Sequence, residues 1–499
     1  MMRKKPTGRR SRCARVSAAA ITMMFAGCTY FAQAPEIAPN RYAPPQPNET
    51  WSPPTKTASE FVAPAGDRAP AHVPIAPAEA SVRTYDLPQL IDVSLTNNPG
   101  TRQAWERARA AAAAYGASRA PYYPKLSTQT RAGYTRQIVE LPGQVGAFKQ
   151  WESEPVLRLT YTLIDFGRRD ADDEIAREQL AASNFSFNRE LQTVVFATQQ
   201  AFYALAAAKA GVTAAEQNLE LARTDDDAVQ KRVDLGLATQ PELLLARERV
   251  AQSEFDLANA QLLVHEGQAS MALAIGVAAN APFDVESLER QPVPKTLGAQ
   301  VDELIARAVR ARPDLASQVA SLNASQAGIT RARAEFYPYV TGLAEYGEQT
   351  WNFRFVSPPS ITTNQPQYTA GFSLNWDIFT GFQRLNNLKQ AKANTAEAAA
   401  TLQSSELAAI ADVWRAYYEF ESTLKKYAYA EALLAATQEA YNANLDTYRQ
   451  GLSTIVELLT ADRDLANARY TMIQSTADLL TSSAAVAYAV GAIEMPRHH

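Results

Sequence analysis

Cysteine and histidine are nearly missing from this 499-residue chain, which holds two of the first and four of the second. Cys13 lies in a basic N-terminal stretch, and only Cys28 remains once that stretch is removed, so no intrachain disulfide can brace the body. Stability must come from packing or assembly. The histidines are no better placed for chemistry: His72 sits among prolines, His498 and His499 at the tail, and His265 alone in VHEGQ. No HExxH, GxxxxGK[ST] or GxSxG pattern occurs. Neither an enzyme, nor a cofactor, nor a metal site is expected.

Positive charge is also scarce once the first residues are set aside. Residues 1–27 read as an export signal, with Arg3, Lys4, Lys5, Arg9, Arg10, Arg12 and Arg15 ahead of the apolar run from Val16 to Ala26. That run is too short to span a membrane. Its removal takes seven basic and no acidic residues, moving the formal charge from −4 to −11, which argues against a nucleic-acid partner. The signal ends in Phe25-Ala26-Gly27-Cys28, which resembles the bacterial lipobox with Phe25 in the usual place of Leu. That resemblance implies lipid attachment (palmitate among the chains) at Cys28, and Thr29, where Asp is absent, implies sorting to the outer membrane. Between Pro35 and Pro77 stand eleven prolines, the composition of an extended tether over residues 28–85.

The body is one unit written twice. LIDVSLTNNPGTRQA (90–104) aligns with LIARAVRARPDLASQ (304–318), pairing Pro99 with Pro313 at an offset of 214, and APYYPKL (120–126) meets AEFYPYV (334–340) at the same offset. The offset then becomes 215: AFYAL (201–205) over AYYEF (416–420), GLATQPELLLA (236–246) over GLSTIVELLTA (451–461), and ALAIG (272–276) over AYAVG (487–491). A tandem duplication, residues 86–290 followed by 291–499, accounts for all of these.

Each unit changes period in the same order. LRLTYTLIDF puts Leu157, Leu159, Tyr161 and Leu163 on one face, and its counterpart puts Phe372, Leu374, Trp376 and Ile378 on one face. Such alternation over about ten residues is the pattern of a barrel strand in a membrane, although a soluble two-sided sheet shares it. Further strands are expected near 125–137 and 339–351. No proline falls between Gly167 and Asp234, where Phe187, Leu191, Val194, Thr198, Ala201 and Leu205 recur at heptad spacing. One helix of ~100 Å is expected there, and another from about Phe382 to Arg449. Shorter helices are expected at 88–118, 240–274, 301–333 and 454–490, two end to end matching one long helix. Four strands cannot close a barrel in lipid, so the chain must assemble; two copies give eight strands and three give twelve.

These features resemble the TolC-type outer membrane efflux protein family, in its lipid-anchored branch. The resemblance rests on the doubled NNP…YYPKL and ARP…FYPYV segments, the junctions LIDFGRR and IFTGFQR, and the doubled GLxTxxELLxA, across residues 86–493. At the junctions Phe166 and Phe382 stand where the family has Gly. The resemblance implies an α+β membrane protein: a homotrimer whose twelve strands form an outer-membrane β-barrel above a long antiparallel α-helical barrel, with Val277–Gln300 in the belt around its middle. It implies a passive duct for drugs or metals, working with a periplasmic adaptor (membrane fusion) protein and an inner-membrane pump of RND or ABC type. A type I protein-secretion duct and a pore-free periplasmic coiled-coil scaffold are the alternatives.

Gly236 and Gly451 end the long helices, where positive φ turns the chain. By matching position the resemblance makes Leu235, Gly236, Leu237, Gln450, Gly451 and Leu452 the tips that dock the adaptor. It places Glu457 at the aperture and gives Glu242 a hydrogen bond from Tyr448. Ser453 stands where the family can have a linking Arg, and Thr460 where it can have a second acid.

Overall fold

The computed structural model describes residues 46, 48–51, 83–141, 144–355 and 360–493. Residues 1–27, Cys28 and most of the proline-rich tether lie outside the described residues. In chain order the first half contains β1 (Arg83–Tyr85), α1 (Leu87–Asn97), α2 (Pro99–Ser118), β2 (Lys125–Leu141), β3 (Gln144–Ile164), α3 (Arg168–Asp234) and α4 (Gln240–Ile275). After β4 (Phe283–Val285), the second half runs α5 (Val301–Ala311), α6 (Pro313–Ala334), β5 (Tyr339–Phe355), β6 (Ile361–Asn375), α7 (Gln383–Arg449) and α8 (Ile455–Val490). The order helix pair, strand pair, long helix, shorter helix is repeated.

Proline breaks the expected helices over 88–118 and 301–333 into two each. Asn98 and Arg312 precede Pro99 and Pro313 and take extended backbone, ψ 125° and 122°, because a following proline ring disfavours the helical region. Each proline then occupies a first helical position, where the missing N–H leaves no bond unmade.

These breaks receive the ends of the shorter helices. Asn98 Nδ2 donates to the Ala274 carbonyl at 2.9 Å, and Arg312 Nη1 donates to the Ala489 carbonyl at 3.3 Å, one repeat later. Gly276 and Gly491 follow those helix ends at φ 72° and 76°. The short helices thus stack end to end along the long ones. Heptad packing holds them there: Phe187, Leu191, Val194, Thr198, Ala201 and Leu205 are all buried. Gly267 lets α4 approach α3 closely, since a Cβ there would stand 3.2 Å from the Leu205 Cα.

The four long strands form one antiparallel sheet in the order β2-β3-β5-β6, with Tyr134 opposite Trp151 and Tyr339 opposite Asn375. At 15 to 21 residues they exceed the ~9–11 that a bilayer needs. β6 ends at Asn375, so Trp376 and Ile378 lie in the loop to α7 and not on the strand face expected for them. Large apolar side chains on the sheet are exposed, Tyr346, Tyr368, Phe372 and Leu374 among them. Among the described residues, the outer edges of β2 and β6 carry no partner strand. No helix among the described residues is long and apolar enough to cross a membrane.

At mid-length of α3, β1 pairs in parallel with β4, and both pack with Leu90, Phe202, Leu205 and Met271. Nearer the sheet, Trp51 from the tether is held to α3: its N–H donates to Asn188 Oδ1 and its carbonyl accepts from Asn188 Nδ2, both at 2.9 Å. Its ring meets Phe185 edge-on at 5.4 Å.

Candidate functional site

The ends of the two helical hairpins, farthest from the sheet, are built alike. Leu235 ends α3 and Gly236 takes φ 71°, so that the Gly236 N–H donates to Val233 O (2.9 Å) and the Leu237 N–H to Arg232 O (2.7 Å). After α7, Gly451 takes φ 77°, its N–H donates to Tyr448 O and the Leu452 N–H to Thr447 O, both at 2.9 Å. These are paired Schellman motifs, which need a left-handed residue and so select glycine. A Cβ on either glycine would meet nothing within 4 Å, so conformation and not space is the reason for glycine here.

The following helices start with reciprocal caps. The Thr239 N–H donates to Glu242 Oε2 at 2.5 Å, and the Thr454 N–H to Glu457 Oε2 at 2.9 Å, while the Glu457 N–H donates back to Thr454 Oγ1 at 3.3 Å. Both glutamates therefore have a local structural task that the repeated phrase explains. Glu457 remains exposed, whereas Glu242 is half-buried. Glu457 lines an open groove of about 340 Å³ between α7 and α8, together with Asn444, Thr460 and Asp464.

Tyr448 is buried, only 5 % exposed, among Val229, Leu243, Tyr441, Ile455 and Leu458, a core that joins the two hairpins. The group in contact with it is Arg232. The guanidinium lies 4.6 Å from the ring centroid and donates to the Tyr448 carbonyl at 2.9 Å. Burial raises the Tyr448 phenol above its ordinary value; Arg232 lowers it, and Glu242 and Asp225 raise it further. Sequence reasoning missed Arg232, although a basic residue four before a turn glycine was visible. Ser453 stays within its own turn, accepting from Thr447 Oγ1 at 3.1 Å and donating to the Asn444 carbonyl at 3.4 Å.

Three leucines project from the two turns: Leu235, Leu237 and Leu452 are 73 %, 66 % and 75 % exposed. Gly236, Gln450 and Gly451 are exposed beside them. The turns leave large apolar side chains bare at the protruding end. No cluster of His, Cys, Asp or Glu suited to a metal occurs among the described residues.

Comparison with known proteins agrees with this architecture. The profile of the family described as outer membrane efflux protein matches residues 90–277 and again 304–492, once per repeat. Protein CyaE of Bordetella pertussis is 27 % identical over 411 residues, covering 81 % of this chain and 84 % of its own length. The pyoverdine export outer membrane protein OpmQ of Pseudomonas aeruginosa is 25 % identical over 418 residues, covering 81 % and 85 %. Among solved structures, the outer-membrane channel OprN superposes with a TM-score of 0.70 at 20 % identity, over 89 % of this chain and 99 % of its own. A doubled family match over a doubled fold leaves one conclusion: the chain belongs to the outer membrane efflux protein family and is an outer-membrane channel of an efflux pump, not an enzyme.

Proposed function

We propose that three copies of this chain join strand to strand into a twelve-stranded outer-membrane barrel, continued by a tunnel of α3, α4, α7 and α8 into the periplasm. The observation that carries this reading is the four-stranded sheet, whose two edges have no partner strand among the described residues, set opposite two glycine turns that expose leucine. Backbone edges left open in lipid cost several kcal/mol per unpaired group, so each edge needs a neighbour's strand. In this reading residues 1–27 are removed, lipid on Cys28 and the tether of residues 28–85 hold the body to the outer membrane, and residues 86–290 and 291–499 form the two repeats.

Leu235, Gly236, Leu237, Gln450, Gly451 and Leu452 dock a periplasmic adaptor, which links the duct to an inner-membrane pump of RND or ABC type. The cargo is small molecules such as drugs or metals, a class supported by the pyoverdine-export relative. Glu457, Glu242 and the Arg232–Tyr448 contact set the closed aperture. A ring of three Glu457 carboxylates narrows the passage and favours cations. The reversal potential across a salt gradient tests that ring: the wild-type channel is expected to select cations, and Glu457→Gln to lose at least half of that selectivity. Equal reversal potentials in the two proteins would remove Glu457 from the aperture.

A further inference from the structure

Two buried carboxylates and one nearly buried guanidinium meet between the hairpins, away from the turns themselves. Asp225 of α3 lies eleven residues before Gly236, and Asp462 of α8 eleven after Gly451, about 16 Å up each helix. They are 4 % and 1 % exposed. Arg249 of α4 donates from Nε to Asp462 Oδ2 at 2.5 Å. The remaining atoms are left over: Asp225 Oδ2, Asp462 Oδ1 and Arg249 Nη2 are buried without a hydrogen-bond partner. Such orphaned atoms are costly and call for an explanation.

The surroundings are mixed in charge. Besides Asp225, Arg249 and Asp462, the facing groups are Tyr441, Tyr448 and Arg449 of α7 and Arg469 of α8. Tyr441 is itself buried, and burial together with both carboxylates raises its phenol. It therefore keeps its proton at any pH of interest.

We propose that Asp225, Arg249 and Asp462 form a proton-operated brace that holds the two hairpins together at the closed end of the tunnel. Asp225 and Asp462 belong to different hairpins, so their interaction depends directly on the distance that must grow when the tunnel end opens. Ionised, the two carboxylates repel across a seam that holds one guanidinium close. Protonated, Asp225 gains an O–H donor, the group that the orphaned Asp462 Oδ1 lacks. These are positioning residues, acting on the aperture through the packing of α3 against α8.

The direction of the pH effect follows from burial. Burial first, then the Asp462 carboxylate, push the Asp225 carboxyl from 3.8 up to about 6, against the opposing pull of Arg449 and Arg249. An acid that holds its proton more tightly when packed than when solvated favours the packed state as pH falls. The closed arrangement is therefore strengthened as pH drops through 6 toward 4 and weakened above 6. A shift of that size corresponds to roughly a hundredfold preference once the proton is bound.

This inference rests on reading the turns as the tunnel's closed end, and the test separates the two. In planar bilayers, conductance of the full-length oligomer is expected to fall roughly threefold or more from pH 7.5 to pH 5, with its midpoint near 6. Asp225→Asn, neutral at every pH, is expected to remain low throughout, and Asp462→Asn to lose most of the pH response. Currents with the same pH profile in wild type and Asp225→Asn overturn the brace while leaving the channel intact. If no currents appear, thermal unfolding still decides: the wild-type Tm is expected to rise on going from pH 7.5 to 5 relative to Asp225→Asn. A constant difference between the two melting curves overturns the brace.

Discussion

Replacing Gly276 by alanine is expected to destabilise the protein by about 3–5 kcal/mol, whereas the same change at Gly236 costs about 1 kcal/mol. The two glycines share nearly the same φ, 72° and 71°, so backbone strain alone would treat them equally. Their surroundings differ. A Cβ at Gly276 would lie 2.7 Å from the Asn97 carbonyl oxygen, 2.8 Å from its carbon and 2.9 Å from the Asn98 Cα, all backbone atoms of the α1–α2 break. None of these can move without shifting a helix end. At Gly236 nothing lies within 4 Å. Thermal unfolding of the two variants side by side measures the difference, and equal losses would show that α4 does not seat in the α1–α2 break.

Arg312→Met is expected to cost about 2–3 kcal/mol, because it leaves the buried Ala489 carbonyl and two half-buried carboxylates without their donor. Arg312 is 5 % exposed and holds Asp314 with two bonds, Nε to Oδ1 at 3.1 Å and Nη2 to Oδ2 at 2.7 Å. Its Nη1 reaches Asp412 Oδ2 at 3.2 Å as well as the Ala489 carbonyl, tying α6, α7 and α8 at one point. The planar fork serves several acceptors at once, which a single ammonium cannot, so Arg312→Lys is expected to recover only part of the loss. Burial raises the Asp314 carboxyl, but the hydrogen bond from Arg312 and the nearby Arg189 outweigh it and hold the group below its ordinary value. A depressed acid stabilises the fold above the ordinary value of 3.8 and loses that contribution as pH falls below it. The wild-type advantage over Arg312→Met should therefore be complete at neutral pH and shrink below pH 4. An unchanged Tm in Arg312→Met at pH 7 would contradict this account of the junction.

The long helices and the doubling were legible because both are written locally. A proline-free heptad run such as Phe187 to Leu205 can only be a helix with one packed stripe, and the structure buries that stripe. The helix breaks were legible in principle: Pro99 and Pro313 align in the repeat and each forces its predecessor out of helical geometry. Strand limits were less so, since Trp376 and Ile378 continue the alternation past the last ladder bond at Asn375. What joins the two hairpins near their far end was largely hidden. Arg232 reads as an ordinary cation near a helix C-terminus, which the helix dipole favours, until the other repeat brings Tyr448 beneath it. Asp225, Arg249 and Asp462 likewise occupy ordinary polar positions, and the two carboxylates are buried and Arg249 nearly so because four helices converge there. Glu242 and Glu457 were visible as the acids of the repeated phrase, but their capping bonds give that acid a reason independent of any aperture.

The central claim is that the paired glycine turns close one end of a channel and that Arg232 helps to hold them closed. Single-channel conductance of the detergent-extracted oligomer in a planar bilayer, wild type against Arg232→Ala, tests it most directly. Small currents in the wild type that grow severalfold in the variant are the expected result. No current from either protein, with folded oligomer confirmed in the same preparation, would contradict the claim.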